Sequence, residues 1–242
     1  MTSQTIPPPT LIQKALAWGV HFFTATGAVW GLLSILAIQQ HQWKLLFLWV
    51  ALSLLVDGFD GYLARALHTK DYASGLDGAL LDNIVDYLNY VMVPAYFLIE
   101  AKLVPVEAGL VVACLVLLSS AYQFCQTDAK TNDHYFKGFP DYWNILAIYL
   151  FLLGWSPWFN LAIFLICVVL VFVPIKYIYP SRTQRDKTLS QVLCYIWGAI
   201  GAVAVILYPN FPTWLIWVSL VIVAIYLIMS LIHTLRPSKQ AY

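Results

Sequence analysis

Long apolar segments follow one another along almost the whole chain, and they constrain the fold more than any other feature of the sequence. Eight such segments occupy about residues 15–38, 44–66, 77–99, 104–126, 141–155, 158–178, 189–208 and 212–235. A membrane-spanning helix needs about 20 mainly apolar residues, and its backbone polar groups must pair within the helix because lipid offers no partners. The pattern therefore predicts an all-α, polytopic membrane bundle of about eight transmembrane helices.

The composition excludes an ordinary water-soluble domain. Apolar residues make up 61% of the 242 residues, and charged residues make up only 10%, whereas a soluble domain carries about 25% charged residues. A net charge of +1 is not that of a protein which binds nucleic acid through a basic face. No repeat or long linker divides the chain. We therefore expect one membrane domain over residues 1–242, with additional C-terminal helices at about 189–235, and no nucleic-acid partner.

The distribution of basic residues predicts the orientation in the membrane. If the N-terminus is cytoplasmic, eleven of the thirteen Lys and Arg residues fall in cytoplasmic segments, and only Lys44 and Lys102 fall outside. Cytoplasmic loops of membrane proteins carry such an excess of Lys and Arg. Both termini are therefore expected to be cytoplasmic.

Four aspartates interrupt the second and third apolar segments, where carboxylates are unfavourable. Asp57 and Asp60 lie in the second segment, and Asp82 and Asp86 lie in the third. A carboxylate at the centre of a membrane helix costs about 2.5–3.5 kcal/mol on insertion scales. Spacings of three and four residues place each pair on one helical stripe. Because only a short connection joins the two helices, the four acids are predicted to converge near the cytoplasmic end.

Convergent carboxylates require cations, because four like charges cannot all stay ionised beside one another. Arg65 and Lys70 are too few to pair with four acids, which argues against a purely structural set of ion pairs. An oxygen-only ligand set without His or Cys favours Mg²⁺ or Mn²⁺. The small residues Gly61, Ala64 and Gly78 share these stripes and leave room for a bulky ligand. Arg65 offers paired N–H donors to a phosphate.

Residues 57–86 read D-x-x-D-G-x-x-A-R-x12-G-x-x-x-D-x-x-x-D, and this stretch resembles the signature of the CDP-alcohol phosphotransferases. Every position of the signature is filled, although the gap between its Arg and its second Gly is longer than in the commonest form. The longer gap, the number of apolar segments and looser similarity at 21–27 and 172–182 resemble the bacterial members of the family that use choline.

The resemblance implies a reaction and a site. The reaction is transfer of the phosphatidyl group of CDP-diacylglycerol to choline, giving phosphatidylcholine and CMP at the cytoplasmic face of a bacterial inner membrane. The resemblance also implies two divalent ions, Mn²⁺ or Mg²⁺, a homodimer, and Asp86 as general base. The implied metal ligands are Asp57, Asp60, Asp82 and Asp86. The positions implied to line the nucleotide pocket are Gly61, Ala64, Arg65, Gly78 and, less directly, Thr24 and Thr26.

Two further sets of residues are candidates for the remaining parts of the substrates. A quaternary ammonium forms no hydrogen bond and is usually held by aromatic faces, so Tyr142 and Trp143 are candidates for choline, with Asp141 as counter-charge. An ordinary interfacial belt of aromatic residues is the alternative explanation. The candidates for binding the lipid phosphate are Lys176, Arg182 and Arg185. The alternative explanation for these residues is the excess of Lys and Arg in cytoplasmic loops.

Other functions remain open at this stage. Serine, inositol or glycerol phosphate could replace choline as acceptor, giving for example phosphatidylserine or phosphatidylglycerophosphate, although a phosphorylated acceptor would need an additional anion pocket. A membrane cation transporter would also carry acids within its helices. Against a transporter, the acids cluster near one end, no inverted repeat is visible, and Arg65 would repel the cargo. A purely structural membrane protein would have no use for the signature.

Overall fold

The computed structural model describes residues 9–180 and 182–236. Its first half contains α1 (Leu11–Gln39), α2 (Trp43–Ala66) and the single turn α3 (Thr69–Tyr72). A continuous helical rod follows, made of α4 (Gly78–Asp86), a π-helical segment (Tyr87–Met92) and α5 (Val93–Glu100). The remaining elements are α6 (Val106–Cys125), β1 (Tyr135–Lys137), α7 (Trp143–Leu153), α8 (Pro157–Phe172), β2 (Lys176–Ile178), α9 (Lys187–Leu207) and α10 (Thr213–Leu235).

The membrane character predicted from the sequence is confirmed. Within the described residues, five helices are long and apolar enough to cross a membrane, namely α1, α2, α6, α9 and α10. The other three predicted spans correspond to the rod, which the π-helical segment divides, and to α7 and α8, which are apolar but shorter. The protein is therefore an all-α, multi-pass membrane protein.

The sixth predicted span, 158–178, extends too far. Helix α8 ends at Phe172, and Val173 already has an extended conformation. Pro174 follows it, and proline disfavours the helical conformation of the residue before it. The chain then forms β2, which pairs antiparallel with β1, so that Tyr135 lies opposite Ile178 and Lys137 lies opposite Lys176. The last residues of this predicted span, 176–178, therefore form a short strand rather than the end of a helix.

Small residues on α1 allow it to approach the rod closely. A Cβ atom on Gly31 would lie 2.8 Å from Cδ2 of Leu88, and one on Gly27 would overlap Val85. The side-chain amide of Asn89 also donates hydrogen bonds of 2.9 Å to the carbonyl oxygens of Gly27 and Val85. Close approach through small residues and buried polar contacts are both usual ways of joining membrane helices. These contacts set the rotation of the rod, and with it the direction in which its acids point.

A cluster of aromatic rings joins the opposite ends of the same helices. Trp43 at the start of α2 lies 5.5 Å from Phe97 of α5 and 5.3 Å from Phe151 of α7, measured between ring centroids. Phe47 lies 5.9 Å from the ring of Phe151. Aromatic pairs at such distances stabilise a packed core. The cluster holds α2 and the rod together at the end away from residues 57–86, so that their relative depth is set there.

Candidate active site

Three carboxylates meet between α2 and the rod. Asp57 of α2 and Asp82 and Asp86 of α4 each offer one oxygen, and these atoms all lie within 4.8 Å of one another. Asp82 and Asp86 are one helical turn apart and therefore share a face of α4. Carboxylate oxygens in such a group are the ligands that Mg²⁺ and Mn²⁺ prefer. The arrangement fits a divalent cation.

Asp60 lies next to this group rather than within it. Its side chain is 6% exposed and lies beside the Thr24 hydroxyl of α1 and the carboxylate of Asp82. Asp57, by contrast, meets Tyr90, two turns further along the rod than Asp82. Asp57 therefore contacts a part of the rod further from the α2–α4 connection, and Asp60 contacts a part nearer to it, as in two antiparallel helices. Its role as a metal ligand stays a prediction.

The acids of the site receive little compensation from cations of the chain. Among residues 9–180 and 182–236, no ion pair within 4.0 Å involves Asp57, Asp60, Asp82 or Asp86. Arg65 is exposed and acts electrostatically on Asp60. Its Nη1 atom would lie 3.3 Å from a Cβ atom on Gly61, so the glycine gives the guanidinium room along the helix. The excess of negative charge favours the binding of cations.

Lys130 is a cation of the site that the sequence analysis did not single out. It lies in the connection between α6 and β1, close enough to interact electrostatically with Asp57, Asp82 and Asp86. A backbone bridge to Phe136 ties this connection to β1. The side chain is exposed and so is available to an anionic ligand. In the sequence it is one basic residue among many, because nothing local relates it to the motif.

The two threonines predicted for the nucleotide pocket lie on different faces of α1. Thr24 is buried, donates a hydrogen bond of 3.3 Å to the carbonyl oxygen of Val20, and lies beside Asp60. The Thr26 hydroxyl donates to the carbonyl oxygen of Phe23 at 2.6 Å. Residues two apart on a helix do not share a face, so the structure brings Thr24 but not Thr26 towards the acids.

The signature glycine Gly78 begins α4 directly beneath an imidazole ring. A Cβ atom on Gly78 would lie 2.8 Å from Cε1 and 3.3 Å from Nδ1 of His21. His21 is 7% exposed, and within the described part of the chain its buried Nε2 atom has no hydrogen-bond partner. The ring of His21 therefore occupies the space that a side chain at position 78 would need. The sequence analysis gave His21 no role in the site.

Two of the three residues predicted for choline are enclosed in the protein core, which argues against direct contact with a ligand. Trp143 is fully buried, stacked on Phe164 at 6.2 Å and edge-on to Phe139 at 4.9 Å between ring centroids. Its Nε1–H donates to Oδ1 of Asp141 at 2.9 Å. The Ser120 hydroxyl donates to the same oxygen at 2.5 Å. Trp143 and Asp141 thus join α7 to α6, a role that no local sequence pattern predicted.

Tyr142, the third predicted residue, does lie towards the acids. It is close enough to Asp57 for an electrostatic interaction, and its ring centroid is 6.5 Å from that of Tyr226 on α10. Tyr90 of the rod lies beside both Asp57 and Tyr142. Tyr90 and Tyr142 therefore form a tyrosine wall next to Asp57, and Tyr226 lies against Tyr142 from α10. Tyr90 and Tyr226 carry no local signal that could have predicted this.

Two of the three cations predicted for the lipid phosphate pair with oxygen atoms of the protein, and the third, Arg182, lies over the ring of Tyr179 at 5.5 Å to its centroid. The ammonium of Lys176 lies 2.5 Å from Oδ2 of Asp133. Nη1 of Arg185 donates to the carbonyl oxygen of Arg236 at 2.7 Å. Arg182 is exposed. A role at the lipid phosphate stays a prediction for all three, and Arg182 is the best placed of them.

The motif and its geometry agree with a comparison against known families. The family model described as CDP-alcohol phosphatidyltransferase matches residues 20–173, from α1 through the end of α8. The chain belongs to this family, as the resemblance of residues 57–86 predicted.

Three similar proteins of this family carry the same name. The chain is 41% identical over 242 residues to the phosphatidylcholine synthase of Legionella pneumophila, covering 97% of this chain and 95% of that protein. It is 42% identical over 179 residues to the phosphatidylcholine synthase of Borreliella burgdorferi, covering 74% and 76%. It is 37% identical over 200 residues to that of Pseudomonas aeruginosa, covering 83% and 84%. The similarity to the first of these extends beyond the family match and includes α9 and α10.

Proposed function

We propose that this protein transfers the phosphatidyl group of CDP-diacylglycerol to choline, producing phosphatidylcholine and CMP. The observation that carries the proposal is the group of carboxylate oxygens from Asp57, Asp82 and Asp86, within 4.8 Å of one another, at the family signature. Choline as the acceptor is supported by the names of relatives that align with most of the chain. The choline oxygen forms the new bond to the β-phosphorus, and CMP leaves with the bridging oxygen.

The cofactors in this proposal are two divalent ions, Mn²⁺ or Mg²⁺, held by Asp57, Asp60, Asp82 and Asp86. The close approach of three of these carboxylates, without an ion pair to any of them in the described residues, supports this role. When bound, such ions neutralise the diphosphate and stabilise the charge that develops on CMP. Arg65 contributes paired N–H donors to the diphosphate, which a lysine cannot reproduce. The small side chains at 61, 64 and 78 leave room for the nucleotide.

Asp86 is the general base in this proposal. The hydroxyl of choline has a pKa far above 7, so a nearby carboxylate must accept its proton during the attack. Asp86 lies one turn further along α4 than Asp82, on the side of the cluster where Tyr90 and Tyr142 are found. An acceptor held by those rings would present its hydroxyl to Asp86, while the nucleotide occupies the end nearer Gly78.

The tyrosine wall replaces Trp143 and Asp141 as the proposed site for the quaternary ammonium. Aromatic faces contribute about 0.5–2 kcal/mol to binding such a cation. Tyr142→Ala should therefore raise the KM for choline by about 2- to 30-fold and leave the KM for CDP-diacylglycerol within twofold. An equal rise in both constants would show that the residue supports the whole site rather than the acceptor alone.

We place the protein in the cytoplasmic membrane of a bacterium, with both termini and the site at the cytoplasmic face, and we propose a homodimer from family resemblance. The excess of basic residues in the connections at the site's end of the bundle supports this orientation. In a background without the four native cysteines, Lys70→Cys should react with an impermeant thiol reagent only from the cytoplasmic side. Lys102→Cys should react only from the other side, and labelling of both from one side would contradict the orientation.

The decisive experiment offers the purified protein CDP-diacylglycerol with choline, serine, inositol or glycerol 3-phosphate in separate reactions. We expect CMP release with choline, its loss on chelation, and its return with Mn²⁺ or Mg²⁺. Faster release with one of the other acceptors would show a different member of the family. Full activity after exhaustive chelation would overturn the metal site.

A further inference from the structure

Tyr90 extends the stripe of acids on the rod by one more step. Asp82, Asp86 and Tyr90 follow one another at intervals of four residues, which keeps them on one helical face. Tyr90 lies within the π-helical segment that begins immediately after Asp86. Single turns of π-helix inside α-helices are rare and are often found at functional sites. The stripe therefore ends in a phenol directly beyond the predicted metal ligands.

The Tyr90 hydroxyl forms a hydrogen bond to one of those predicted ligands. It donates a hydrogen bond of 2.6 Å to Oδ2 of Asp57 across the interface between the rod and α2. Oxygen-to-carboxylate distances of about 2.5–2.7 Å are typical of charge-assisted hydrogen bonds, which are stronger than neutral ones. The bond restrains rotation of the Asp57 carboxyl group beside the acids that it repels.

We propose that Tyr90 is a positioning residue of the metal site: its hydroxyl holds Oδ2 of Asp57 and thereby turns the remaining oxygen towards Asp82 and Asp86. The inference rests on the proposed function, because it takes the three acids to be cation ligands. Partners that orient metal ligands commonly change metal affinity or activity by about 10- to 100-fold when removed. The signature of the family motif ends at Asp86 and does not include this residue.

A matched control lies in the same π-helical segment. The Tyr87 hydroxyl donates a hydrogen bond of 3.0 Å to the carbonyl oxygen of Leu117 on α6. Tyr87→Phe therefore removes the same atom from the same segment and also breaks one buried hydrogen bond, but it leaves Asp57 untouched. Both substitutions keep the aromatic ring, so the wall beside Asp57 retains its rings in Tyr90→Phe.

The test measures Mn²⁺ binding directly, by the electron paramagnetic resonance signal of free Mn²⁺, on the purified full-length protein without substrate. Tyr90→Phe should weaken Mn²⁺ binding about tenfold, and Tyr87→Phe should stay within twofold of the unmodified protein. In the transfer assay, the Mn²⁺ concentration for half-maximal rate should rise for Tyr90→Phe, and excess Mn²⁺ should restore most of the rate. Unchanged Mn²⁺ affinity in a folded Tyr90→Phe protein overturns the proposal.

Asp57→Asn separates this inference from the proposed function. If Asp57→Asn weakens Mn²⁺ binding and Tyr90→Phe does not, the metal site stands and the role of Tyr90 is wrong. If neither variant weakens Mn²⁺ binding and chelation leaves the transfer rate unchanged, the proposed metal site itself fails. Adding Tyr90→Phe to Asp57→Asn should change the remaining affinity by less than twofold, because the hydroxyl acts through that carboxylate. If the loss of Mn²⁺ affinity in the double variant equals the product of the two single losses, Tyr90 acts by another route. This comparison remains a test of the proposal even if the single variants differ in melting temperature.

Discussion

Two groups of acidic side chains lie at the same end of the bundle and differ in how their charge is compensated. Around β1 and β2, Lys137 lies 2.6 Å from Asp128, and Lys176 lies 2.5 Å from Asp133. His233 of α10 also contacts Asp186 at 2.9 Å. Between α2 and the rod, four aspartates lie close together, and none forms an ion pair within the described residues.

The difference predicts two uses of carboxylates, one structural and one functional. Each of these acidic side chains near the sheet has a basic partner within the protein. Burial alone would raise the pKa of Asp133, but the hydrogen bond and charge of Lys176 outweigh it and hold the pKa below its usual value. The acids between α2 and the rod have no such ion pair within the described residues and repel one another, which favours the binding of external cations. Substitutions in the first group should therefore change stability, and those in the second should change chemistry.

The strongest test of this contrast removes one charge from the unpaired group. Asp86→Asn should keep the fold and nucleotide binding but lower turnover by about 10²- to 10⁴-fold, because the amide cannot accept the proton from choline. Asp57→Asn should instead weaken metal and nucleotide binding together. Turnover and CMP binding are measured on both. Substantial transfer by Asp86→Asn would show that the base lies elsewhere.

The second test asks why a glycine begins α4. Gly78→Ala should lower transfer about tenfold, because a methyl group there overlaps the ring of His21 and overpacking of this kind costs about 1–3 kcal/mol. Adding His21→Ala should restore part of the loss if the ring is the obstacle. No relief in the double variant would indicate that the nucleotide itself needs the space. Gly75→Ala is the control, since a Cβ atom at that position would have no neighbour within 4 Å.

A smaller effect is expected where the chain supplies its own cation to the unpaired group. Lys130→Gln should raise the KM for CDP-diacylglycerol by at most about fivefold, because exposed charge interactions are worth about 0.2–1 kcal/mol. Lys44→Gln, at the other end of α2, should leave that KM unchanged. The KM values of both variants are measured at one ionic strength. A rise of the same size in both would mean that net charge, rather than the position of Lys130, is responsible.

The smallest effect on transfer is expected in the paired group. Asp133→Asn should leave turnover within twofold but lower the melting temperature by about 2–4 °C, which corresponds to about 1 kcal/mol for a protein of this size. Because the folded-state pKa of Asp133 is lowered, its stabilisation is present above the unfolded value of about 3.9 and is lost as the pH falls through the folded value. The difference in melting temperature should therefore disappear in acid.

Asp71→Asn is the matched control for this substitution. Asp71 is largely exposed and lies 3.7 Å from His68 in a loose pair, so its removal should leave the melting temperature within about 1 °C, since exposed pairs contribute little. A loss of turnover in Asp133→Asn without a change in melting temperature would contradict the structural role of the paired group.

Much of the architecture could be predicted from local pattern. The second apolar segment was expected at 44–66, and α2 runs Trp43–Ala66. The prediction failed at 158–178, because apolarity alone does not distinguish the end of a helix from a short buried strand. Nor does any local pattern predict that Asp141 accepts hydrogen bonds from Trp143 and Ser120 within the core.

From the sequence one can predict the membrane helices, the shared face of Asp82 and Asp86, and the proximity of Asp57 to them. Apolar segments are insoluble in water, the helical repeat places residues four apart on one face, and only a short connection joins α2 to α4. Which other residues contact these acids follows from the tertiary packing. Tyr90 reaches Asp57 across an interface, Lys130 arrives from a loop, and His21 lies over Gly78 from another helix. These contacts depend on how far each helix is rotated and how deeply it packs, and no periodicity along the chain records the distance between residues on different helices.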